Sequence, residues 1–140
     1  MPWVSSYSKM YPVEEIKIRT TAKVQARSIS TEVAQAVAGE SGSLVCVYTP
    51  HTTCGLLINE DADPAVMSDI MDALDGLVPR NKRYKHAEGN SDAHIKSSLI
   101  GHSVFVPLAE GRLMLGTWQG IFLMEFDGPR ERKVHVVILK

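Results

Sequence analysis

Surplus charge is the first thing this chain lacks. Fifteen lysines and arginines stand against sixteen aspartates and glutamates, a formal net charge of -1. So balanced a chain has no broad cationic field to hold nucleic acid or an anionic membrane surface. No apolar stretch approaches the roughly 20 residues that cross a bilayer. Residues 1–6 do not set a cationic segment ahead of an apolar run, so no secretory leader is expected. Two cysteines, Cys46 and Cys54, are too few for a disulfide framework. The expectation is a cytoplasmic protein with reduced thiols. Internal repeats, low-complexity tracts and linker-like breaks are also missing, so the 140 residues read as one domain with a real core.

A clean strand–helix alternation is absent as well, and mixed signals take its place. Residues 13–20 read as a strand with Ile16 and Ile18 on one face. Ser30 can cap a short helix that runs to Val37 and stops at Gly39. Residues 44–48 read as a buried strand, and residues 55–58 continue it or pair with it. Asp63 is an N-cap with Pro64 at the first helical position. Val66, Ile70, Leu74 and Leu77 then recur at helical spacing, and Gly76 can end that helix. Residues 79–91 are polar and turn-rich. Asp92 can cap a second helix that carries His94 and ends near Gly101. Strands are expected over residues 103–108, 112–115, 119–126 and 133–139, with a hairpin at residues 127–130. The fold class is α+β: a single-domain sandwich of six or seven mostly antiparallel strands, two main helices and a smaller third.

Three histidines sit in turn-prone sequence at the ends of these elements: His51, His86 and His94. Neutral imidazole is a good metal ligand and titrates near neutral pH. Three such ligands with one open position would suit a catalytic zinc or a similar divalent ion. Their spacing follows no zinc-finger or His-x-x-x-His pattern, so turn hydrogen bonds explain them equally well. His102 and His135 read as structural.

The other polar candidates also keep two readings. Glu60, Asp61 and Asp63 could hold a hard cation such as magnesium on a substrate diphosphate, although Asp63 suits a cap better. Gly116-Thr117-Trp118-Gln119-Gly120 could bind a planar heterocycle, with Trp118 stacking and Thr117 and Gln119 hydrogen-bonding. It could equally be a glycine-flanked bulge. Glu125, inside an apolar run, needs a partner or a catalytic role. Arg112 could grip phosphate, as could the free N–H groups at the helix start near Asn90. Arg130 and Arg132 read as solvated. Cys54 reads as a buried thiol, because His51 three residues away falls on the opposite face of an extended chain.

Three segments carry a resemblance. They are His51-Thr52-Thr53-x-Gly55 with Asn59-Glu60, Tyr84-x-His86 with Asp92-Ala93-His94-Ile95-Lys96, and Gly111-Arg112 with Gly116-Thr117-Trp118-Gln119-Gly120-Ile121. In this order they resemble the YjbQ-like family, small proteins credited with secondary thiamine-phosphate synthase activity, from about Ile16 to the C-terminus. The resemblance implies an α+β sandwich, a homotrimer, and a divalent metal, zinc or magnesium, bound by His51, His86 and His94. It implies an enzyme joining a pyrimidine methyl diphosphate to a thiazole phosphate, with Glu60 as a candidate catalytic carboxylate beside Glu125, whose candidacy rests on its place in the apolar run. Arg112, Thr117, Trp118 and Gln119 are then candidate substrate contacts, and the partner is a small phosphorylated molecule. The chain is too short for the TIM barrel associated with dedicated thiamine-phosphate synthases. A metal-dependent hydrolase, a small-anion binding protein and an interaction module without chemistry remain the other classes.

Overall fold

The computed structural model of the chain describes residues 13–140, so the leader expectation at residues 1–6 lies outside the described residues. Among these residues the chain order is β1 (Val13–Arg19), β2 (Gln25–Ser28), α1 (Ser30–Val37), β3 (Leu44–Tyr48), β4 (Cys54–Glu60), α2 (Pro64–Leu77), α3 (Ser91–Ile100), β5 (Ser103–Ala109), β6 (Arg112–Leu113), β7 (Gln119–Glu125) and β8 (Glu131–Leu139). The class is α+β, as expected. Five strands form one sheet in the order β1-β8-β3-β5-β6, and three form a second in the order β2-β7-β4. The pairings are antiparallel. No described helix is long and apolar enough to cross a membrane.

The two sheets face each other over Ile18, Val45, Val47, Leu56, Ile121, Leu123, Val134 and Val136, and α1 adds Val33 and Val37. A second cluster lies on the far face of the smaller sheet. There Phe122 and Met124 meet Met67 and Leu74 of α2 and Ala93 of α3. β7 is therefore covered on both faces, which is why its apolar residues run on instead of alternating. At about 1.5–3 kcal/mol per buried large side chain, this strand is a major contributor to stability.

Local signals held where no buried partner competed. Asp63 caps α2 by accepting the Ala65 N–H, with Pro64 in the first turn. Two other expected caps were diverted. The Ser30 hydroxyl accepts the Ile121 N–H at 2.9 Å, and Ile29 precedes the helix. Asp92 is buried and pairs with buried Lys96 at 3.3 Å, leaving Asn90 before α3. Leu77 is 74% exposed, while Met67 takes the core-facing place. The return strand stops at Leu113 rather than at Leu115. β2 was not expected, because Gln25-Ala26-Arg27-Ser28 has no apolar alternation. It forms as an edge strand on the apolar β7.

Residues 121–126 are covered within the one chain, by α2, α3 and the larger sheet. The exposed apolar side chains lie elsewhere and include Phe105 and Tyr48, on the outer face of the larger sheet, and Trp118.

Candidate metal centre

The β4–β7 ladder fixes the distances between the candidate residues. Cys54 pairs with Glu125 at one end and Glu60 with Gln119 at the other. Seven strand residues span about 20 Å. Glu60, Thr117, Trp118 and Gln119 therefore gather at one end of the sandwich, and Glu125 lies at the opposite end with the loop that bears His51. At the first end the Asp61 N–H donates to the Trp118 carbonyl at 2.8 Å, and Gln119 closes a turn onto the Gly116 N–H at 2.9 Å. Trp118 is 65% exposed and lies outside the core. Gly120 is required there, since a Cβ would lie 2.3 Å from the Asp61 carboxylate. Arg112 pairs with Ala109, at the end of β5 away from the His51 loop. It lines a cavity of about 630 Å³ beside Ser30 and Thr31 of α1.

At the other end the structure brings His86 and His94 together. His86 lies in the polar loop, and His94 lies in the first turn of α3. Their ring centres are 5.3 Å apart, with planes inclined by 72°. With a zinc ion about 2.05 Å from each nitrogen and each ring centre about 1.15 Å beyond, a tetrahedral angle puts two ligand centres about 5.2 Å apart. The ring-centre spacing of the pair matches that of two positions of such a site. No cluster of three or more histidine, cysteine or acidic side chains suited to a metal occurs among the described residues.

His51 is arranged differently. Its Nε2 accepts the Lys133 N–H at 2.8 Å. A neutral imidazole that accepts at one nitrogen carries its proton on the other, so His51 presents a donor. Burial pushes its pKa down, and Arg132, Arg130 and Lys133 push it further against the opposing Glu125. The ring is thus kept neutral, the form a metal requires.

Behind His51 lies a buried ion pair. Glu125 is fully buried and takes Arg132 through both oxygens, together with the Thr20 hydroxyl at 2.7 Å and the Phe126 and Asp127 N–H groups at 3.1 Å. Arg132 also donates to the Thr53 hydroxyl at 2.8 Å. Burial alone would raise the Glu125 pKa, but the hydrogen bonds from Arg132 and Thr20 outweigh it and hold the carboxyl below its usual value. A carboxylate satisfied on every side is built to hold Arg132 rather than to exchange protons with a ligand. Arg132 corrects the reading that made it a solvated charge, because a glutamate inside the sheet requires a cation there. Arg130 is half-exposed and binds Asp127.

The remaining candidates resolve simply. Burial pushes the Cys54 thiol up, against the activation a nucleophile needs. His102 shares a hydrogen bond with Ser97 at 2.8 Å, and His135 lies 3.4 Å from Glu15. Sequence reasoning missed Asp127, which binds Lys23 at 2.8 Å and Asn90 at 2.9 Å. A Gly-Pro hairpin tip gave no sign that its acid is turned inward.

A family model described as "UPF0047 protein YjbQ-like" matches residues 14–140. A UPF0047 protein of Methanocaldococcus jannaschii is 45% identical over 125 residues, covering 88% of this chain and 91% of its own length. The UPF0047 protein YugU of Bacillus subtilis is 41% identical over 131 residues, covering 91% and 98%. Among solved structures, an uncharacterised conserved YjbQ/UPF0047 family protein of Clostridium acetobutylicum superposes with a TM-score of 0.86 at 48% identity, covering 90% of this chain and 99% of that one. A protein of Sulfolobus solfataricus, described as of unknown function, gives 0.87 at 29% identity, covering 91% and 96%.

Proposed function

The chain belongs to the YjbQ-like UPF0047 family, and on that footing we propose that it is a divalent-metal enzyme with thiamine-phosphate synthase activity. The observation that carries the reading is the His86–His94 pair, spaced as two imidazoles on one tetrahedral ion are. Zinc suits imidazole ligands, whereas magnesium prefers oxygen, so zinc is the favoured ion. His51 completes the set by giving up the Lys133 amide. The bound ion would neutralise the diphosphate leaving group. Arg80, Lys82, Arg83 and Lys85 lie exposed on the loop ahead of His86 and favour an anionic substrate. In the reaction the methylene carbon–oxygen bond breaks with its electron pair leaving on diphosphate. The thiazole nitrogen supplies the pair for the new carbon–nitrogen bond. Free, largely buried thiols fit a reducing cytoplasmic setting.

Incubating the protein with both precursors tests the activity. Thiamine phosphate should form, stop forming after chelation, and return with added zinc. Equal product without metal would sink the metal's role. Metal binding without product would favour the hydrolase or small-anion binding alternative.

Glu60 and Trp118 lie about 20 Å from the histidine end of the same chain, so one chain cannot present both to one small ligand. A second copy can. The proposed assembly is a homotrimer in which the Trp118 end of one chain meets the histidine end of the next, closing the ring. Light scattering coupled to size exclusion should give about three times the chain mass of 15.4 kDa. A mass near one chain at micromolar concentration would remove the shared site.

A further inference from the structure

We propose that Asp127 is a positioning residue for the His86–His94 pair and acts through Asn90. The inference rests on the metal-binding reading above. Asn90 stands midway between the two histidines in sequence. Ala93 and His94 both donate their backbone N–H to its carbonyl, at 3.0 and 3.3 Å. Where Asn90 is held therefore decides where α3 starts and where the His94 ring points.

An asparagine ahead of a helix ordinarily caps it with its own side chain. This one makes no cap hydrogen bond. Its Nδ2 instead donates to Asp127 Oδ2 at 2.9 Å, across 37 positions of sequence. Its Oδ1 is buried with no hydrogen-bond partner among the described residues, so the amide is oriented by Asp127 alone.

Asp127 is itself anchored. Oδ1 accepts Lys23 at 2.8 Å, its N–H donates to Glu125 at 3.1 Å, and Arg130 donates to its carbonyl at 2.8 Å and to Oδ2 at 3.2 Å. The next residue has no room to move. Gly128 donates its N–H to the Lys23 carbonyl at 3.0 Å, and a Cβ there would stand 2.4 Å from the Ala22 carbonyl oxygen. The segment that joins the two histidines thus hangs from a fixed hairpin. The same hairpin reaches His51 through the Lys133 N–H. One rigid element therefore sets both histidine-bearing loops relative to each other.

Cobalt(II) titration of the full chain tests this, with Asn90→Ala, Asp127→Ala and the double variant compared with wild type. Each single variant should bind cobalt about 10- to 100-fold more weakly, the range for partners that orient ligands, and should shift the visible spectrum of the bound ion. The double variant should be no weaker than the worse single one. Asn90→Ala removes only the reach to Asp127, so it decides the matter if Asp127→Ala does not fold. Wild-type affinity and spectrum in Asn90→Ala would overturn the inference, and so would additive losses in the double variant. If wild type binds no cobalt, the metal reading fails. The positioning role is then judged on the metal-free protein, where Asn90→Ala should shift the ring-proton resonances of His86 and His94. Unmoved resonances would end it.

Discussion

Replacing Arg132 by leucine should destabilise the fold by about 3–5 kcal/mol, the range for stripping one partner from a buried ion pair. Both side chains are within 1% of full burial. Without the guanidinium, Glu125 keeps Thr20 and two N–H groups but loses its counter-charge. Urea denaturation should show the loss, with a fall in Tm of roughly 10 °C or more. Glu125→Leu combined with Arg132→Leu should cost less than Arg132→Leu alone, because no charge is then left buried. A loss below about 1 kcal/mol in the single variant would mean that water reaches the pair. The pair also sets a pH dependence. The Glu125 pKa is lowered in the folded state from its ordinary 4.5. Its stabilisation is therefore complete above that value and is lost as pH falls through it toward the lower folded value. Wild type should lose stability below about pH 4.5 more steeply than the double variant.

Alanine at His86 or His94 should remove most of one equivalent of metal from protein purified without added metal or an affinity tag. Affinity should fall by more than about 100-fold, beyond what loss of an orienting partner causes. The fold should survive both changes, because His86 is exposed and His94 is only half-buried. His51→Ala should cost less, since His51 must first release the Lys133 amide. Unchanged metal content in both His86→Ala and His94→Ala would leave the rings as a simple edge-on contact and remove the metal centre.

The sequence made most of the strands and the α2 cap legible because those signals are local. Asp63 and Pro64 act within one turn, and Ile16 and Ile18 mark a face by alternation alone. Ser30 and Asp92 misled for the opposite reason. Each has a good local role, and each was taken by a stronger partner far away in sequence, the Ile121 amide and the Lys96 ammonium. Arg132 could have been found. A glutamate within Ile121-Phe122-Leu123-Met124-Glu125-Phe126 demands a buried cation, and the following hairpin holds the nearest arginines. Periodicity could not show that Glu60 and Trp118 sit a full strand length from the histidines. That separation follows from the β4–β7 register, a long-range property.

Pairing the first described strand with the last gives the molecule a folding timetable. β8 lies between β1 and β3, so the larger sheet has no continuous centre until residues 131–139 exist. During synthesis β7 emerges before β8, which carries Val134, Val136 and Ile138 of the opposite wall of its core. For that interval an apolar ribbon lacks part of its cover, and its one charge is Glu125. Glu125 breaks an otherwise aggregation-prone run during that wait. When β8 arrives with Arg132, the same carboxylate changes from a water-facing guard into the anchor of a sealed interior.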